Sequence, residues 1–210
     1  LDMNIQPGLY FINFTCLYQG GKTEKIKETL RVIPKDFPVK RLWVDEKFVT
    51  PPPEVLKRIQ VESELLASLY RIYSPEWYGE GKFIVPCAGE PSPNFGERRF
   101  FNDKPRSPHT GVDISAPSGT PVFASNSGKV VLATNLYFAG NTVIIDHGLG
   151  VFSLYCHFSR IDVNRGQFVN KGDKIGEVGA TGRVTGPHLH WGIKISNSRV
   201  DPFSLVFLDF

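Results

Sequence analysis

Two stretches in the second half of the chain repeat one pattern, and that pattern restricts the fold more than any other feature of the sequence. Ala116-Pro117-Ser118-Gly119-Thr120-Pro121-Val122-Phe123-Ala124 leads to Gly128-Lys129-Val130-Val131, and Val163-Asn164-Arg165-Gly166-Gln167-Phe168-Val169 leads to Gly172-Asp173-Lys174-Ile175-Gly176-Glu177-Val178. Each has a turn glycine, a short strand, another turn glycine and another strand. Helix signals nearly vanish after Lys82. A degenerate internal repeat of this kind predicts a compact, mainly β domain, an antiparallel sheet or barrel-sandwich in which two similar hairpin units pack together.

The first 80 residues read differently. Leu9 to Tyr18 is dense in aromatic and β-branched residues, Gln19-Gly20-Gly21-Lys22 signals a turn, and Ile26 to Ile33 alternates at its start. Residues 1–50 therefore read as a small β-module, an incomplete immunoglobulin-like sandwich. Pro51-Pro52-Pro53-Glu54 then opens a helix whose Val55, Ile59, Glu62, Leu65, Leu66 and Leu69 fall near a 3.6 period, with proline acceptable in the first turn. Ser74-Pro75 ends it near Tyr73. Gly79-Glu80-Gly81 marks the boundary, giving a helix and linker over 51–81 and a main domain over 82–210.

Four of the five histidines fall in three clusters. In His188-Leu189-His190 the i, i+2 spacing puts both imidazoles on one face of a strand. His109-Thr110-Gly111-Val112-Asp113 supplies a second pair of good zinc ligand types, and Tyr155-Cys156-His157 a third cluster among strand formers. Catalytic zinc takes three protein ligands and leaves a fourth position open, so His109, Asp113 and one of His188 and His190 would complete a set. Four residues of extended strand span roughly 13 Å, so the chain must bend between His109 and Asp113. Gly111 is placed to permit that. The histidines left over would face the metal water and take its proton or stabilise an oxyanion, which is peptide-hydrolysis chemistry. No H-E-x-x-H is present, so the glutamate base of that protease class is missing. His147, beside a glycine turn, reads as structural, and Trp191 faces away from His190 into the core. Cys156 should face away from Tyr155 and His157, leaving Tyr155 on the His157 side.

The motifs His109-x-x-x-Asp113, Tyr155-x-His157 and His188-x-His190, with Phe95-Gly96-x-Arg98 upstream and Gly179 to Pro187 before the last pair, resemble the lysostaphin-type (LytM-like) zinc endopeptidases of bacterial cell walls. The resemblance covers about residues 82–205. It implies a duplicated hybrid motif, one zinc held by His109, Asp113 and His190, catalytic assistance by His157 and His188, and peptidoglycan stem peptides as substrate. The alternative is a catalytically silent LytM-like regulator of a wall amidase, which the intact ligand set opposes. The repeat also resembles biotinyl and lipoyl carriers, but Asp173-Lys174 lacks their flanking pattern. A sugar phosphotransferase would not need Asp113.

Charge and cysteine content constrain the reading less than the motifs do. The excess of 24 Lys+Arg over 21 Asp+Glu is too small for nucleic-acid binding, and all of it lies after residue 80, which suits an anionic polymer. No apolar run is long enough to cross a bilayer, and Leu1 lacks the initiating Met or basic flank of a signal peptide, so we expect a removed N-terminal segment. The Pro105-Arg106-Ser107-Pro108-His109 approach, with no polybasic targeting module, resembles Gram-negative members of the family, which implies a periplasmic location. Three cysteines give no disulfide framework, with Cys16 and Cys87 open to pairing in an oxidising compartment. Residues 1–80 contain no histidine and are expected to restrict the groove or dock a periplasmic protein partner. The resemblance also implies that a latent site would be plugged by an upstream segment in which an asparagine can serve, and Asn94 and Asn102 both lie upstream of His109.

Overall fold

The computed structural model describes residues 2–196 and 198–208; Leu1, Asn197, Asp209 and Phe210 lie outside them. Strands β1 (Gly8–Leu17) and β2 (Thr23–Val32) form an antiparallel ribbon turned by Gly20 and Gly21, both at positive φ as a tight hairpin demands. Leu9, Phe11 and Leu17 on this ribbon are more than half exposed. Strand β3 (Val39–Leu42) leaves the ribbon and pairs in parallel with β5 of the main domain. A sandwich needs two packed sheets. Residues 1–50 instead hold one two-stranded ribbon and one strand lent to another sheet, so the immunoglobulin-like reading does not describe them.

Helix α1 (Pro53–Leu69) begins with proline in its first turn and stops four residues before Tyr73, because the N–H groups of Arg71 and Ile72 turn back to Ser68 and Leu69 in tighter bonds. Its Leu65, Leu66 and Leu69, with Tyr70, pack on Leu132, Ile144 and Phe152 of the main sheet. Full burial of a leucine stabilises by roughly 2 kcal/mol. The helix is therefore an anchor, whereas the exposed ribbon gains little. The Gly79–Gly81 segment is also packed: Tyr78 N–H donates to the His147 carbonyl and Lys171 Nζ to that of Glu80.

The remaining strands are β4 (Glu90–Ser92), β5 (Arg98–Phe101), β6 (Lys104–Pro105), β7 (Val112–Ser115), β8 (Pro121–Phe123), β9 (Gly128–Leu136), β10 (Gly140–Gly148), β11 (Val151–Ile161), β12 (Phe168–Val169), β13 (Lys174–Val178), β14 (His188–Ile195) and β15 (Ser198–Val200), followed by helix α2 (Pro202–Phe207). One sheet runs β12-β9-β10-β11-β14-β7-β4, with β13 joining β11 to β8 and β15 edging β14. A second, three-stranded sheet is β3-β5-β6. The domain is mainly β and antiparallel, as the glycine punctuation predicts.

The two repeat units pack by exchanging strands. β8 of the first pairs with β13 of the second, and β12 of the second with β9 of the first. Gly119 N–H donates to the Val178 carbonyl at 2.8 Å and Gly166 N–H to that of Val130 at 2.7 Å, so equivalent glycines cap each other's unit. Both have positive φ, +90° and +94°, which explains why each repeat carries glycine there. Between the units lies the core, with Val122, Val130, Ile145, Tyr155, Ile175 and Trp191 buried.

Candidate active site

β7 and β14 pair so that Asp113 stands opposite His190 and Ser115 opposite His188. Alternation then turns both histidines to one side of β14 and sends Leu189 and Trp191 into the core. His109 lies before the bend that opens β7. Its Nε2 is 3.0 Å from Asp113 Oδ1 and 2.8 Å from His190 Nδ1, and His190 Nδ1 is 3.0 Å from the same Oδ1. Three ligand atoms so placed can hold a metal ion. Tetrahedral bonds of ~2.0–2.1 Å set ligand atoms ~3.3 Å apart, so a zinc ion capping this triangle fits with a small opening of the set.

Gly111 lies within the bend, but its conformation is ordinary. A Cβ there would come within 2.9 Å of the His190 ring and 2.4 Å of the Trp191 carbonyl. Its service is room for the His190 imidazole rather than the flexibility expected of it.

Hydrogen bonds outside the triangle fix each group. His109 Nδ1 is 3.0 Å from the Asn94 carbonyl, which places the proton on Nδ1 and leaves the Nε2 lone pair for a metal. The Asn94 side chain donates to Asp113 Oδ2 and accepts from the Asp113 N–H, and Arg99 Nη2 donates to Oδ2 at 2.7 Å. Asp113 thus has Oδ2 occupied and Oδ1 presented. Burial works to raise its carboxyl, but its close contacts with the His109 and His190 rings outweigh that and hold the group well below the usual carboxylate range. Asn94 braces a ligand and does not plug the site; Asn102 bonds Val44 and Glu46 instead.

His157 departs from simple alternation. Asn141 pairs with Phe158 and Val143 with Tyr155, so two residues of β11, Cys156 and His157, face the single Thr142. This β-bulge places His157 at φ +69° and swings its ring to the side of Cys156 and His190, all three lining one cleft. Tyr155 points the other way, into the core, where its hydroxyl meets Ser125 and Ser153. The expectation that Tyr155 shares the His157 face, with Cys156 opposed, therefore fails at the bulge. His157 Nδ1 lies 2.8 Å from the Thr181 carbonyl and His188 Nδ1 2.9 Å from that of Gly186. Both rings accordingly carry their proton on Nδ1 and leave Nε2 open; their centroids are 4.9 Å apart. Burial, with His188 and His190 nearby, pushes His157 down to about 3, and burial pushes His109 to about 4 against the pull of Asp113. Both are neutral imidazoles at pH 7.

Two adjoining clefts of about 290 and 280 Å³ meet at His157, with Arg99, Phe101 and Arg183 between them. Lys40, Leu42 and Val44 line the second, so the first module walls the groove. Sequence reading singled out Arg98 rather than Arg99. Arg98 is exposed, and alternation along β5 turns Arg99 and Phe101 inward, a signal readable once β5 is known to be a strand.

The fifth histidine stands apart. His147 is fully buried, Nδ1 2.8 Å from the Ser127 carbonyl and Nε2 2.7 Å from Ser153 Oγ, and burial pushes it down to about 4. Its unfolded value is near 6.5. Between those pH values the unfolded chain binds a proton that the folded chain does not, so stability falls as pH drops, by roughly 3 kcal/mol from this group alone. Unfolding free energies at pH 7.5 and 4.5, from denaturant titration, should converge by about that amount in His147→Gln; an unchanged pH dependence would contradict a neutral buried imidazole. The three cysteines are free thiols, Cys87 and Cys156 buried, with burial raising them to about 11 and 12.

Residues 107–202 match the sequence model of Peptidase family M23. The peptidoglycan DD-endopeptidase ShyA of Vibrio cholerae is 45% identical over 111 residues, 52% of this chain and 26% of that protein. The DD-carboxypeptidase/endopeptidase Mpg of Neisseria meningitidis is 45% identical over 97 residues, 46% of this chain and 22% of its own length. The chain thus spans about a quarter of the length of the curated relatives it matches. A crystal structure assigned as a peptidase M23 from Pseudomonas aeruginosa superposes with TM-score 0.75 at 34% identity, over 98% of this chain and 76% of that one. With the His109-Asp113-His190 group inside the matched segment and the fold shared along nearly its whole length, this chain belongs to peptidase family M23.

Proposed function

We propose that this chain is a zinc-dependent endopeptidase that hydrolyses peptide cross-links of bacterial peptidoglycan during wall remodelling, with His109, Asp113 and His190 as the ligands of one ion. Two imidazole nitrogens and one carboxylate oxygen are a donor set that zinc accepts with one position left open. A bound zinc there supplies a Lewis acid that polarises the peptide carbonyl and acidifies water. The observation that carries the reading is the pair of imidazoles beside the ligand group, His157 and His188, each donating from Nδ1 to a backbone carbonyl and each with Nε2 open. A fixed tautomer with a free lone pair is what a general base requires. Once protonated, the same Nε2 hands the proton to the leaving amine or stabilises the developing oxyanion.

ShyA and Mpg are named for DD cleavage, and we assign the same bond to this chain. The enzyme then works outside the cytoplasmic membrane, in the periplasm, and no helix among the described residues is long and apolar enough to cross a bilayer. The exposed ribbon of residues 8–32 is where we place the expected protein partner. Digestion of sacculi by zinc-loaded protein, with products identified by mass, should convert directly cross-linked muropeptide dimers to monomers and leave glycine-bridged wall intact. Undiminished dimers in the first substrate would overturn the assignment.

A further inference from the structure

The cleft that joins His109, His157 and His190 is lined by three arginines and no carboxylate. Arg99 is neutralised by Glu97 and Asp113. Arg106 bonds the Val49 carbonyl through Nη2, while its buried Nε has no partner. Arg183 is flanked by the faces of Phe101 and Phe138, 4.5 and 4.9 Å from its guanidinium carbon, and among the described residues no carboxylate or hydrogen-bond acceptor meets its guanidinium. Burial and the nearby Arg106 and Arg99 pull it down to about 10, the behaviour of a charge without a counter-ion. Aromatic flanks hold a guanidinium flat without using its N–H donors.

The backbone that carries Arg183 is held as firmly as the histidines. Arg183 N–H donates to the Phe138 carbonyl, Thr181 Oγ1 accepts from Asn141 N–H and donates to the Phe158 carbonyl, and the Thr181 carbonyl orients His157. Gly182 lies against Gly140 N and the Phe138 carbonyl, 2.4 and 2.6 Å from where a Cβ would sit. One pinned turn thus presents both the His157 acceptor and an unpaired arginine to the same cleft. A guanidinium half-withdrawn from water, pre-oriented and unpaired, is built to take a planar anion through two parallel hydrogen bonds.

We propose that Arg183, supported by the charge of Arg106, binds a free carboxylate of the peptide being cut, so that the preferred substrates carry such a group within reach of the scissile bond. This rests on the peptidase reading above and adds substrate selection to it. A charge-assisted bidentate contact made only by the acid form should favour it over the neutral amide by about 10- to 100-fold in kcat/KM.

The experiment uses a synthetic cross-linked peptide dimer and versions in which each free carboxylate is amidated in turn. Zinc-loaded wild-type protein should lose about 10- to 100-fold on amidation of one of these groups and little on the others. Arg183→Met, which keeps the apolar stem between Phe101 and Phe138, should retain zinc and thermal midpoint yet cleave acid and amide at equal rates. Arg183→Lys should keep an intermediate preference, and it decides the matter if the methionine variant does not fold. Equal cleavage of all forms by wild type, or a preference that survives in Arg183→Met, would overturn the proposal. If wild type cleaves none of them, the peptidase reading fails by itself. Calorimetric binding of acid and amide to wild type and Arg183→Met then decides, an acid preference lost in the variant supporting a carboxylate site and equal binding refuting it.

Discussion

His109→Ala, Asp113→Ala and His190→Ala should each lose metal by more than about 100-fold in affinity and all measurable turnover, since even outer partners of a metal ligand are worth 10- to 100-fold. Their stabilities should not match. Asp113 shares its Oδ2 between Asn94 and Arg99, and its removal leaves Arg99, largely buried, with Glu97 alone. Asp113→Ala should therefore unfold at lower temperature than the two histidine variants, while all three bind equally little zinc. Metal analysis and thermal melts on the same preparations check both halves, and full zinc occupancy in any one of the three would remove that residue from the ligand set.

His157→Ala and His188→Ala should keep zinc and lose about 10²- to 10⁴-fold in kcat, because neither ring nitrogen of either residue belongs to the ligand triangle and general acid–base help is worth that much. His157 permits a sharper test. It occupies left-handed backbone space at φ +69°, where a side chain costs roughly 1–2 kcal/mol and glycine nothing comparable. His157→Gly should therefore be about 1 kcal/mol more stable than His157→Ala, the reverse of the usual order in a strand, with both slowed alike. Alanine proving the more stable would show that the bulge is not strained as described.

Much of the site is legible in sequence because it lies on regular elements. His188 and His190 share a face by the alternation of β14, and the distance an extended chain spans already forces a bend between His109 and Asp113. What hides is whatever depends on a partner strand. The turn of His157 away from Tyr155 follows from two residues of β11 facing one of β10, and counting along one strand cannot find that. Gly111 is conspicuous in the sequence, but the His190 ring that needs its missing Cβ comes from the other end of the domain. In the first module, strand-forming residues mark the ribbon well enough. Nothing local says that Val39–Leu42 runs parallel to Arg98–Phe101 and so brings Lys40 and Leu42 to the cleft, because that pairing is a long-range choice set by packing.

The exchange of strands between the repeats bears on how the molecule is made. Partners β8 and β13 lie about 50 residues apart in the chain and β9 and β12 about 40, so the first unit cannot complete its pairing before the second has been synthesised. Until then, it exposes unpaired strand edges that can pair with a neighbouring chain. Folding of this domain is thus tied to the emergence of its last hundred residues as a block. A nascent chain halted before Lys174 would already pair the strand of His157 with β10, but it would lack β14, which carries His190 and pairs with the strand of Asp113, so the candidate ligand group cannot assemble ahead of the last strands.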